Sequence, residues 1–149
     1  MRRFTICLAA ALIALAGAAA IAQGKITTLE EHAKLMKSNA QANGALNKAV
    51  GSGSFADARM QVTTLQQNLM TLQTFWMEKK NADAVKVVKE GLGRLEALDK
   101  MLAAAAPDQV AAQAAAKEFG GMTCGACHKM LREGDAQTGF RFQAAANPF

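Results

Sequence analysis

Val85, Val88, Leu92, Leu95, Leu98 and Leu102 recur at intervals of three and four, the spacing that lines one face of an α-helix. A second run, Ala58, Val62, Leu65, Leu69 and Leu72, repeats the pattern. A strand needs apolar residues at alternate positions. No stretch sustains that alternation with β-branched residues, so no strands are expected. A helix with one apolar stripe has to bury it against other elements. The two stripes therefore restrict the chain to an all-α fold, and the absence of tyrosine and the presence of only two prolines agree with that.

Two further helices flank the striped pair. Thr28-Leu29-Glu30-Glu31 has the form of a capping box, in which Thr28 and Glu31 satisfy each other's backbone donors. The helix it opens runs to about Val50, with Leu29, Met36, Leu46 and Val50 apolar, and Gly51-Ser52-Gly53 ends it. Ser54 is placed to cap the second helix. The third begins between Thr74 and Ala82 and carries Gly91 and Gly93, which cost helix propensity but permit close packing. Pro107 suits the first turn of a fourth helix. That helix carries Val110 and Phe119, meets an irregularity at Gly120-Gly121, continues to about Arg132 and stops at Gly134. Four helices of roughly 20–25 residues with short connections point to an antiparallel four-helix bundle.

The N-terminus reads as an export signal: Arg2 and Arg3, an apolar run from Ile6 to about Ala20, then the small-x-small site Ala20-Ile21-Ala22. The apolar run falls short of the ~20 residues of a spanning helix. The expected organisation is a signal peptide over 1–22 cleaved before Gln23, a four-helix domain over 23–133 and a tail over 134–149. Periplasmic location without stable membrane insertion follows. Cleavage removes Cys7 and leaves two of the three cysteines, and loss of Arg2 and Arg3 lowers the formal charge from +5 to +3. So small and scattered a charge gives no case for nucleic acid.

The remaining thiols lie in Cys124-Gly125-Ala126-Cys127-His128. Two thiols three positions apart can add to the two vinyl groups of one haem, with the following histidine beneath the iron as axial ligand. Zinc and a redox dithiol are the alternatives. A closed zinc site wants a fourth ligand, and His32 is the only other histidine. A thioredoxin-like dithiol wants a βαβ setting. Met36 shares a face of the first helix with Leu29 and Ala40 and points coreward, where a methionine is more often packing than ligand.

A haem motif at the C-terminal end of a four-helix chain resembles the class II c-type cytochromes, cytochrome c prime and its low-spin relatives. The resemblance covers most of residues 28–133. It rests on Gly121, Cys124, Cys127, His128 and Arg132, and on Lys34-Leu35-Met36-Lys37-Ser38-Asn39, which is similar to the first helix of the low-spin branch. It implies one haem c, bound covalently through Cys124 and Cys127. It also implies His128 and Met36 on the iron, and Arg132 at a propionate or over the proximal imidazole. The chain departs from the family at Leu131, where an aromatic is usual, and at His32, where cytochrome c prime often has arginine. The second and third helices are joined by an unusually short connection near Trp76, which would leave that haem edge more exposed. The tail has no counterpart, and Met122 and Met130 lie on the proximal side.

The function expected is periplasmic electron transfer with redox partner proteins, not catalysis. No distal histidine–arginine pair and no nucleophile–base pair stands out. The alternative is a five-coordinate protein in which Met36 shields an iron that binds nitric oxide or carbon monoxide. A third is a helical module without haem. Family members commonly pair through their first two helices, so a homodimer is compatible with the resemblance.

Overall fold

A computed structural model describes residues 25–135 and 137–149. The expected signal segment with Cys7, and its cleavage site, lie outside the described residues. The described chain is mostly helical and bundle-like: α1 (Leu29–Gly51), α2 (Phe55–Glu78), α3 (Ala82–Leu102) and α4 (Gln109–Phe119), then a π-helical segment (Gly120–Gly125) leading into α5 (Ala126–Leu131). α1 packs on α2, α2 on α3, and α4 closes the ring against both α1 and α3. No described helix is long and apolar enough to cross a membrane.

The expected stripes form the core. Leu46, Val50, Val62, Leu65, Val88, Leu95, Leu98 and Phe119 are buried to within 1%. Each large one contributes roughly 1.5–3 kcal/mol relative to exposure. Val110 departs from expectation at 76% exposed, because the buried face of α4 is formed by Ala112, Ala116 and Phe119.

Local chemistry sets the helix ends. At α1 the capping box forms: Thr28 Oγ1 accepts from the Glu31 N–H at 3.2 Å. The Glu31 carboxylate accepts from the N–H groups of Thr27 (2.7 Å) and Thr28 (3.0 Å). These bonds, Thr27's first, hold the Glu31 carboxyl down at about 2. Ser54 is the N-cap of α2, as expected, but its side chain makes no capping bond and accepts from Ser52 Oγ at 3.2 Å instead. Asn81 caps α3, its Oδ1 accepting from the Ala84 N–H at 3.0 Å.

Pro107 is not in the first turn of α4, contrary to expectation. Asp108 follows it as the N-cap, its Oδ1 accepting from Val110 (2.9 Å) and Ala111 (3.0 Å), so a carboxylate supplies what the first turn needs. The next residue ties two helices together. Gln109 Nε2 donates to the Val50 and Gly51 carbonyls at the end of α1, at 3.0 and 2.8 Å.

The irregularity expected at Gly120-Gly121 is the π-helical segment, and α5 ends at Leu131 because Arg132 turns to extended backbone. Gly134 is therefore not the helix stop. Two short strands, β1 (Arg132–Glu133) and β2 (Arg141–Phe142), pair antiparallel with Arg132 opposite Phe142. This corrects the expectation of no strands. Gly134 serves the intervening turn: its φ is +85°, and a Cβ there would collide with the Gly139 carbonyl.

Candidate functional site

The close approach of α3 to the π-helical segment positions the attachment motif. Gly91 packs against Thr123 so tightly that a Cβ on Gly91 would press into the threonine methyl. A π turn carries an extra residue per hydrogen-bonded ring. The wider turn delivers Thr123, Cys124, Cys127, His128 and Leu131 to one cavity of about 750 Å³. From α1 come His32, Met36, Asn39, Ala40 and Asn43, spaced as one helical face. Leu69, Leu72 and Trp76 of α2 and Val88 of α3 complete the apolar wall.

The structure thus brings all five sequence-selected residues, Met36, Cys124, Cys127, His128 and Arg132, to a single cavity. Met36 is half-buried against the core. Met122 is exposed and Met130 half-buried, and neither is part of the cavity wall. Cys124 and Cys127 are free, half-buried thiols. Burial raises both, and the Cys124 neighbour adds to the effect at Cys127, which reaches about 11. Such thiols stay protonated at neutral pH, unlike the low-pKa cysteine of a disulfide oxidoreductase.

His128 is shifted below its ordinary value, first by burial and then by the Arg132 charge, which favours the neutral imidazole that binds metals. The Arg132 guanidinium stacks 3.8 Å from the centre of the Phe140 ring at the cavity edge. Two polar atoms of the wall, Asn39 Oδ1 and Thr123 Oγ1, are buried without a hydrogen-bond partner. Orphans of this kind are rare, and they mark a place where a further group belongs. The volume, the apolar lining, the two thiols and the neutral imidazole fit a large planar macrocycle carrying a metal. No group of three or more His, Cys, Asp or Glu side chains stands ready for a bare metal ion among the described residues.

The tail over 134–149 contributes wall residues that the sequence did not single out. Phe140, Arg141, Phe142, Asn147 and Phe149 all reach the cavity. Phe142 and Phe149 surround the His32 ring together with Phe75 and Trp76, at centroid distances of 5.0, 6.2, 5.7 and 6.3 Å respectively. Trp76 itself is 3% exposed, packed beside Phe75, His32 and Phe142. His32 is buried, and that burial, with His128 nearby, lowers it to about 4. The available signal was the crowding of three phenylalanines into the last ten residues. Compared with known proteins, the chain matches no family model, no curated protein and no solved structure.

Proposed function

We propose that this chain is a class II c-type cytochrome: an exported, periplasmic, single-haem electron carrier, low-spin with His128 and Met36 on the iron. One observation carries the reading. A single macrocycle-sized cavity receives Cys124, Cys127 and His128 from the π segment and α5, and Met36 from a helix nearly ninety residues earlier. Short connections between successive helices favour the antiparallel bundle of that family.

In this reading Cys124 and Cys127 would hold the haem covalently, and His128 and Met36 would bind its iron. The haem would supply a one-electron iron couple, whose potential a thioether ligand raises relative to a second imidazole. The chain's own residues do the rest. Leu69, Leu72, Trp76 and Val88 exclude water from the cavity, which strengthens every polar interaction inside it. Thr123, held by its contact with Gly91, fixes the turn that presents Cys124. Arg132 supplies a guanidinium for a propionate at the edge. The function would be electron exchange with redox partner proteins, with no substrate needed at the metal.

The test is the absorption spectrum of the exported protein, oxidised and reduced, with and without carbon monoxide. A low-spin spectrum unmoved by carbon monoxide, turning high-spin in Met36→Leu, is the expected result. A high-spin wild-type spectrum that shifts with carbon monoxide would make Met36 a shield and the protein a gas binder. No haem signal from a host able to attach it would sink both.

A further inference from the structure

The chain has eight aromatic residues, seven phenylalanines and one tryptophan, and half of them gather around one imidazole. Phe75 and Trp76 come from α2, Phe142 and Phe149 from the tail, and the His32 ring at the base of α1 sits between them. Tail and bundle also meet directly: Phe149 stacks on Phe75 at 5.6 Å and Phe142 meets Trp76 edge-on at 6.1 Å. The Lys79 ammonium lies 5.5 Å from the Phe149 ring and 5.6 Å from the Phe75 ring, bridging the two.

Backbone bonds anchor the segment. Phe142 pairs with Arg132, and the Gln143 N–H donates to the Leu131 carbonyl at 3.0 Å. Gln143 Nε2 reaches the Lys129 carbonyl at 3.3 Å. The segment therefore hangs from the end of α5, immediately after the attachment motif, and crosses to the start of α1. All five of its cavity residues stand on that crossing.

We propose that the segment over 140–149 is part of the cofactor site: Phe142 and Phe149, latched on His32, wall the edge of the cavity and set how far the bound macrocycle meets water and small molecules. The inference rests on the haem reading above and adds residues to that site. Phe142 is the inner member, half-buried and nearest to His32, and Phe149 is the outer member, 42% exposed. An aromatic pair stabilises its partners enough that deleting one loosens a closed state by about twofold to tenfold. Water at the haem edge also changes the reduction potential.

The test uses the haem-loaded full chain, with Phe142→Ala, Phe149→Ala and, as a control, Met60→Ala on the outer face of α2, away from the cavity. The probe is free imidazole binding to the ferric protein, followed by absorbance, alongside the reduction potential. Expected are imidazole entry about twofold to tenfold faster in the two phenylalanine variants, larger for Phe142→Ala. A shifted potential should accompany it, with Met60→Ala at the wild-type rate. Should Phe142→Ala fail to fold, Phe149→Ala, whose ring is partly exposed, decides alone. Haem-loaded variants with wild-type helix content, entry rate and potential would overturn this inference and leave the electron-carrier reading standing. Wild-type protein without covalent haem would overturn both.

Discussion

Two glycines two positions apart in α3 make opposite predictions. At Gly93 an added Cβ meets nothing within 4 Å, whereas at Gly91 it would press on Thr123 Cγ2 and lie 3.0 Å from Oγ1 and 3.2 Å from Cβ of the same residue. Alanine gains roughly 0.5–1 kcal/mol over glycine inside a helix. Gly93→Ala should show that gain in full. At Gly91 the same gain is set against overpacking of a well-filled contact, typically 1–3 kcal/mol. Thr123 is 1% exposed, so it has little room to give. The net expectation for Gly91→Ala is a loss of about 1 kcal/mol, read as a lower urea midpoint at unchanged m-value. Adding Thr123→Ala removes the opposing methyl and should restore part of the loss, with a coupling of about 0.5–2 kcal/mol. On the haem proposal, Gly91→Ala should also lower the yield of covalent haem, because Thr123 precedes Cys124, and Gly93→Ala should not. If Gly91→Ala stabilises as much as Gly93→Ala and shows no coupling to Thr123, the close-packing argument fails.

Acid should weaken the fold through His32. An unfolded histidine titrates near 6.5 and folded His32 near 4, so stability is full above pH 6.5. It is lost as the pH falls towards 4, by roughly 1–3 kcal/mol once discounted for water reaching the ring. Urea midpoints across that range should fall less steeply in His32→Gln. Asp108→Ala should cost about 1 kcal/mol as a lost N-cap while Pro107→Ala changes little, and equal effects in thermal melts would contradict the assignment of the cap. Gly134→Ala, strained by its positive φ and blocked by the Gly139 carbonyl, should cost roughly 1–3 kcal/mol. It should also free the tail, seen as faster hydrogen exchange at residues 140–149 with α1–α4 unaffected.

What the sequence disclosed was what local spacing can encode. The stripes of α2 and α3 announce themselves because each side chain's neighbour along the helix is three or four positions away. The capping box of α1 is legible for the same reason, being complete within Thr28–Glu31. At the start of α4 the sequence points to Pro107, whose fixed φ suits a first turn, and the hydrogen bonds place the cap one residue later at Asp108. The β1–β2 pair was illegible, since two residues cannot display alternation. The wall formed by Met36, Cys124, Cys127, His128 and Arg132 could be read from a motif and a resemblance. The wall formed by Phe142 and Phe149 depends on a contact with His32 across most of the chain, and no periodicity records such a contact.

That last contact also imposes an order in time. His32 stands near the first described residue and Phe149 is the last, and contacts between such distant positions carry the greatest loop-closure cost and form late. Until they form, the aromatic contacts do not hold the segment over 140–149 at the cavity that Cys124 and Cys127 also line. In the folded chain the two thiols are half-buried. On the haem proposal, the docking of that segment would follow loading, since the residues that would hold the haem and the aromatic residues of the tail line the same cavity.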